Sequence, residues 1–406
     1  MNNLLVAQSG GPTAAINATL VGVLKEAQIS DKVDKVYGAK NGIEGVIKDN
    51  IIDLSNIMKD PQALSILTYT PSSALGSCRR KMKDFRKQEE TYKKIIETFR
   101  KYDIKYFVYI GGNDSMDTVD KLSKYCIEKN LDFNIIGAPK TIDNDLELTD
   151  HTPGFGSAAK YIATTVAELE RDISVYDIPA VTVVECMGRD AGWLTAASAL
   201  ARVNGGPGPD LIYLCEKEFD DDKFIEDVKK RQAVKPGVLV VVSEGIRYKD
   251  GSYVSDLISS GAVDTFGHKY TAGAARALEQ IIRKRIGCKV RAVELNLMQR
   301  AAAHITSETD IMESVMLGLK AVDCAVNGET GRMTAIKRLS NDPYRVEYIS
   351  VPVSEVANRE KKVPPEWITP EGNDVTEEMM AYLRPLIIGE TGVKYENGIP
   401  RYFRLY

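Results

Sequence analysis

Six short apolar runs, each closed by glycine or by polar residues, constrain the fold of this chain more than any other feature. They are Leu4–Gln8, Tyr106–Ile110, Asn134–Ala138, Val181–Cys186, Val238–Val242 and Arg291–Leu295. Longer stretches with helical periodicity follow several of them, notably Ala14–Ala27, Asp190–Arg202 and Ser307–Ala325. Apolar strands alternating with helices read as parallel sheets covered on both faces. The 406 residues exceed one domain of about 150 residues. The expected fold class is therefore α/β: two doubly wound three-layer α/β/α lobes with an active-site cleft between them, plus a C-terminal extension. The first lobe is expected over residues 1–153 and about 299–344, and the second over 154–298. From 345 to 406 the turn-rich PPEW and PEGND segments and the YENGIPRYFRLY ending suggest an extension packed on the lobes.

Composition excludes several classes. With 44% apolar residues and 31 glycines the chain is neither disordered nor collagen-like. Lys plus Arg number 53 against 57 Asp plus Glu, a net charge of −4. No global basic field invites nucleic acid or an anionic membrane, so an anionic ligand needs local positive charge. No apolar run reaches the length of a membrane span. The start, MNNLLVAQSGG, lacks the basic region of a signal peptide. Cys78, Cys126, Cys186, Cys215, Cys288 and Cys324 form no CxxC pair, and His151, His268 and His304 are scattered. That pattern argues against a zinc site or a disulfide framework and for reduced thiols in a cytoplasmic protein.

The residues able to do chemistry follow strand ends, where ligands bind in open α/β sheets. Gly10–Gly11 opens a helix, which suits either an anion at backbone N–H groups or a plain tight turn. Gly111–Gly112–Asn113–Asp114–Ser115 adds a carboxylate to the same arrangement, fit for phosphate plus Mg²⁺ or for helix capping. In Pro139–Lys140–Thr141–Ile142–Asp143–Asn144–Asp145 one ammonium and two carboxylates follow a buried strand. One carboxylate can serve as a base and the other can stand near a metal, against the alternative of a solvated turn. In Met187–Gly188–Arg189–Asp190–Ala191–Gly192–Trp193 the arginine suits a phosphoryl oxygen, or simply pairs with Asp190. Glu244 of Ser243–Glu244–Gly245 can accept from sugar hydroxyls or cap a helix. Arg291 and Arg300 flank the sixth run, and two such arginines suit a phosphomonoester; singly, each reads as a surface residue.

SGGPTAAINA, GGNDS, PKTIDND, MGRDAGW, SEG and RAVELNLMQR, in this order, resemble the phosphofructokinase family over roughly residues 4–325. The resemblance implies Mg²⁺-dependent phosphorylation of O1 of fructose 6-phosphate in the cytoplasm. It also implies a donor-binding first lobe, a sugar-phosphate-binding second lobe, and a homodimer or homotetramer with shared active sites. Relatives that use ATP typically read GGDGS and GTIDND; here Asp114 and Lys140 replace two glycines. This pairing resembles the pyrophosphate-dependent branch: the Asp obstructs the space beyond a diphosphate, while the Lys adds charge for a compact donor. The reaction is then expected to run in both directions.

Carried over residue by residue, the resemblance makes Asp143 the base, with Asp145 assisting it or lying near Mg²⁺, and Lys140 and Arg189 the groups neutralising the transferring phosphoryl. Gly11, Arg79, Asp114 and Ser115 would hold pyrophosphate and its metal, with Asp114 the metal ligand. Thr141, Met187, Gly188 and Glu244 would bind the sugar, and Arg291 and Arg300 the 6-phosphate, one of them across a subunit interface. Departures are Asn113 for Asp, Ala180 for an inter-subunit Arg, Leu297 for His, and QRAAAH for QRGG. The alternatives are an ATP-dependent phosphofructokinase, a non-catalytic regulatory subunit of the same fold, and a lipid or NAD kinase. Asp143, Asp145, Lys140 and Arg189 argue against the second, and PKTIDND with MGR against the third.

Overall fold

A computed structural model describes residues 2–258 and 273–405. Its strands are β1 (Asn3–Gln8), β2 (Val36–Ala39), β3 (Ile51–Asp53), β4 (Ile104–Gly111), β5 (Asn134–Pro139) and β6 (Ala180–Cys186). They continue with β7 (Leu211–Tyr213), β8 (Gly237–Ser243), β9 (Lys289–Glu294), β10 (Arg332–Asn341), β11 (Tyr344–Pro352) and a two-residue pair, β12 (Tyr395–Glu396) and β13 (Ile399–Pro400). The chain falls into two compact units, one made of Met1–Ser157, Arg300–Glu360 and Ile387–Tyr406, the other of Ala158–Gln299 and Lys361–Leu386.

The first unit holds a seven-stranded sheet in the order β11-β10-β5-β4-β1-β2-β3. Its centre is parallel, and alternate residues of each strand feed two different cores. Leu5, Ala7, Phe107 and Tyr109 pack with Tyr92, Ile95, Phe99, Met116 and Val119 on one face. Leu4, Val6, Tyr106, Val108 and Ile110 pack with Ile16, Leu20, Leu24, Ala321 and Ala325 on the other. The helices Glu89–Lys101 and Asn113–Glu128 therefore cover one face, and Ile16–Ile29 and Glu308–Val326 the other. The last two cross very closely. A Cβ on Gly22 would lie 2.1 Å from the Val315 carbonyl oxygen, and one on Gly318 would lie 2.1 Å from that of Thr19.

An all-parallel reading fails at both edges of this sheet. β3 runs antiparallel to β2, and β11 antiparallel to β10. β11 is half-buried or exposed at all but one position and β3 has three residues, so both lack the continuous apolar signature that marks a central strand. The boundary expected at 345 falls just inside β11; residues 361–386 belong to the second unit and 387–405 to the first.

The second unit carries a parallel sheet in the order β7-β8-β6-β9. β6 and β8 are buried along their whole length. One face packs on the helices Asp221–Gln232 and Ala274–Arg285 through Phe224, Ile225, Val228, Leu278 and Ile282. The helix expected over 190–202 begins at Trp193 and tightens into a 3₁₀ turn over Ser198–Arg202, because Gly188 to Gly192 form a turn. No described helix is long and apolar enough to cross a membrane. His268 lies outside the described residues.

Candidate active site

In the first unit, β1, β4 and β5 lie side by side, so their carboxyl ends bring the first three motifs together. Thr13 Oγ1 accepts from the backbone N–H of Ile16 at 3.0 Å and starts the first helix. The turn before it is pinned from the 70s loop: Gly10 N–H donates to the Cys78 carbonyl at 3.1 Å, and Ser77 Oγ donates to the Gly10 carbonyl at 2.6 Å. Gly10 adopts φ +78°, and a Cβ there would come within 3.1 Å of the Lys140 ammonium.

Lys140 is 2% exposed. Its Nζ donates to the Gly11 carbonyl at 2.6 Å. Burial pulls its pKa down to about 8; Asp143 and Asp145 favour the charged form, while Arg300 and Arg79 oppose it. Arg300 is lowered by burial and then by Arg79. A Cβ on Gly11 would lie 3.3 Å from Arg300 Nη1. Gly11, Arg79, Lys140, Asp143, Asp145 and Arg300 therefore share one neighbourhood, a cationic group next to a backbone turn.

Asp143 is set by its own loop. Its N–H donates to Thr141 Oγ1 at 3.1 Å, and that hydroxyl lies 3.4 Å from Asp143 Oδ2. Thr141 is gripped on both backbone groups: its N–H donates to the Pro153 carbonyl at 3.1 Å, and its carbonyl accepts from Thr152 Oγ1 at 2.8 Å. Behind that grip, Asp310 accepts from Gly154 N–H at 2.8 Å and Ser157 N–H at 3.0 Å. His151 lies between Asp150 (2.8 Å) and Glu313 (2.5 Å). No motif marks these bracing residues in the sequence.

In GGNDS, Gly112 is the N-cap and no side chain caps the helix, so the capping reading of Asp114 and Ser115 fails. Ser115 Oγ meets Ser9 Oγ at 2.5 Å, joining the turns after β4 and β1. The Asp114 side chain is 59% exposed and lies 3.6 Å from Lys81. Asn113 is committed elsewhere: its amide donates to the Arg359 carbonyl at 2.5 Å and accepts from Asn358 N–H at 2.6 Å. An Asp there could not make the first of these bonds.

In the second unit, Met187 and Gly188 follow β6. Gly188 takes φ +126°; its N–H donates to Glu244 Oε1 at 3.2 Å, and Met187 N–H donates to Gln299 Oε1 at 3.2 Å. Glu244 is thus tied to the turn and caps no helix. Arg189 Nε donates to Asp190 at 3.1 Å, Asp190 pairs with Arg247, and Arg247 Nη2 donates to the Arg189 carbonyl at 3.1 Å. The Arg189–Asp190 pair therefore belongs to a network that shapes the turn.

Of the two arginines expected at one strand end, Arg291 does not lie at the end of its strand. Arg300 lies in the first unit. Arg291 is the third residue of β9, opposite Thr182 and four residues short of Cys186 at the carboxyl end of β6, about 13 Å at 3.3 Å per residue. Its side chain is 53% exposed and lies 3.8 Å from Asp172. The apolar run at 291–295 concealed a strand that begins two residues earlier.

A parallel α/β scaffold that sets a buried lysine after a strand end, with two arginines beside it at a backbone turn, suits phosphorylated small molecules. The family model for phosphofructokinase matches residues 3–325, and the chain belongs to the phosphofructokinase family. It is 41% identical to a pyrophosphate--fructose 6-phosphate 1-phosphotransferase of Halomonas elongata, covering 100% of this chain and 96% of the relative. It is also 41% identical to the enzyme of that name from Methylococcus capsulatus, covering 99% and 96%. The crystal structure of a pyrophosphate-dependent phosphofructokinase from Nitrosospira multiformis is similar over 99% of this chain and 96% of that one, with a TM-score of 0.89 and 37% identity.

Proposed function

We propose that this chain catalyses reversible, Mg²⁺-dependent transfer of a phosphoryl group from pyrophosphate to O1 of fructose 6-phosphate, giving fructose 1,6-bisphosphate and phosphate. The observation that carries the choice of donor is the Lys140 ammonium, buried against the Gly11 carbonyl beside Arg79 and Arg300. Lys140 and Arg79 at a glycine turn suit a compact polyanion, and Lys140 takes up room that a glycine leaves for a longer donor.

In the forward direction Asp143 accepts the proton of the sugar 1-hydroxyl, and O1 forms a bond to the nearer phosphorus of pyrophosphate. The bridging P–O bond breaks and phosphate leaves with that electron pair. Asp145 supports Asp143, and Lys140 and Arg189 neutralise the charge that spreads over the phosphoryl oxygens. Gly11, Arg79, Asp114 and Ser115 hold pyrophosphate; Thr141, Met187, Gly188 and Glu244 hold the sugar; Arg300 and Arg291 hold the 6-phosphate.

Among the described residues no group of three or more His, Cys, Asp or Glu forms a ready-made metal cage. Mg²⁺ typically takes one or two carboxylates, water and substrate phosphates; Asp114, exposed beside Lys81, would be its ligand, with the carboxylates of Asp143 and Asp145 by Lys140. When bound it supplies charge neutralisation on the phosphate oxygens.

Arg291, half-exposed and short of its own strand end, supports a homo-oligomer in which it serves a neighbour's site. Six free cysteines support a reducing cytoplasm. The deciding experiment is an initial-rate assay with pyrophosphate or ATP as donor: a strong preference for pyrophosphate is expected, and a preference for ATP overturns the reading. Asp114→Gly combined with Lys140→Gly should then admit ATP.

A further inference from the structure

The turn that carries Arg189 is held at its far end by a segment distant in sequence. Within the second unit, Glu216 Oε1 accepts from Gly192 N–H at 2.8 Å and from Val363 N–H at 3.0 Å. One carboxylate oxygen thereby ties the turn to the stretch 361–386. The next residue of the turn repeats the tie: Trp193 Nε1 donates to the Lys361 carbonyl at 3.0 Å, and the Lys361 ammonium lies 5.3 Å from the centroid of the same indole. Trp193, Trp367 and Tyr382 close a triangle of rings with centroids 6.1, 5.4 and 5.2 Å apart. At the near end of the turn Glu244 holds Gly188 and Arg247 holds Arg189. The MGRDAGW turn is thus fixed at both ends, and the far end depends on residues that no motif contains.

We propose that Glu216, with residues 361–386 as a strap, is a positioning residue for the Arg189 turn, and that Trp193 reports the state of that turn. The proposal rests on the reading of Arg189 and Gly188 given above. Glu216 acts through Gly192 and Val363, and charge-assisted hydrogen bonds to these two backbone donors give it geometric hold. Small displacements of a group that must meet a transferring phosphoryl are costly in rate.

The protein has two tryptophans, and both belong to this cluster, so intrinsic emission reads it without a label. Glu216→Ala should lower kcat by about 10- to 100-fold and leave KM for pyrophosphate within about twofold. Addition of fructose 6-phosphate should change the emission of the wild type and not that of Glu216→Ala. Glu216→Gln, whose amide oxygen still accepts both N–H groups, should stay within about threefold of wild-type kcat. Wild-type kcat in Glu216→Ala, or a Gln variant as impaired as the Ala variant, overturns the proposal. If Glu216→Ala does not fold, Trp367→Phe leaves Trp193 as the sole emitter; loss of the sugar-phosphate response there overturns it as well. A wild-type protein inactive with fructose 6-phosphate and pyrophosphate defeats the underlying reading instead.

Discussion

The ammonium of Lys140 is buried beside two guanidinium groups, which is why its pKa falls to about 8 despite two nearby carboxylates. Below that pH the side chain is charged and attracts the donor; above it the proton is lost and the attraction with it. KM for pyrophosphate should therefore rise as pH passes through about 8 in initial-rate profiles. Lys140→Met should abolish that step and lower kcat/KM by about 10²- to 10³-fold. Asp143→Asn removes the base while keeping the shape of the loop. It should cost about 10²- to 10⁴-fold in kcat with little change in either KM, measured at saturating pyrophosphate. The identity of these residues was legible from the motif that holds them. The burial of Lys140 was not, because it depends on Gly11, Arg79 and Arg300, which lie far away in the chain.

At the scale of elements, the loop that carries Asp143 is braced by residues 149–157 against the helix Glu308–Val326. Burial opposes a charge on His151, but Glu313 and Asp150 overcome it and raise its pKa from 6.5 to about 9. Tyr344 donates to Glu313 at 2.6 Å and Arg338 pairs with Asp150 at 2.8 Å; burial opposes the charge on Asp150, but His151 and then Arg338 hold it below the usual carboxylate range. Because the folded pKa exceeds the unfolded one, this brace contributes fully below about pH 6.5 and is lost as pH rises through about 9, on the order of 3 kcal/mol at about 1.4 kcal/mol per pH unit. Denaturant melts should show that decline in the wild type and a flatter dependence in His151→Gln. The crossing at Gly22 and Gly318 leaves no room for a methyl group. Gly318→Ala should thus destabilise the first unit by about 1–3 kcal/mol despite better helix propensity, read as a lower midpoint in the same melts. Helical periodicity placed the helix near Ser307–Ala325 to within a residue of Glu308–Val326, since its cap and apolar stripe are local. The closeness of its crossing is a property of two helices and was invisible in either one.

For the molecule as a whole, the position of Arg291 ties activity to assembly in the proposed reading. Arg291→Ala and Asp143→Asn, each expected to be inactive alone, should complement when co-refolded as a dimer. Half of the randomly formed dimers are hybrids with one intact site, so about a quarter of wild-type activity should return; no recovery means that Arg291 serves its own chain. The α/β class and the placing of the Gly10, GGNDS, Lys140 and Gly188 motifs after strand ends were written in the sequence, because apolar periodicity and glycine turns are set by near neighbours. Strand order, the antiparallel edges β3 and β11, the depth of Lys140 and the Glu216–Val363 tie were decided only by the tertiary structure. Each of these depends on groups brought together across long stretches of chain, where no periodicity links one partner to the other.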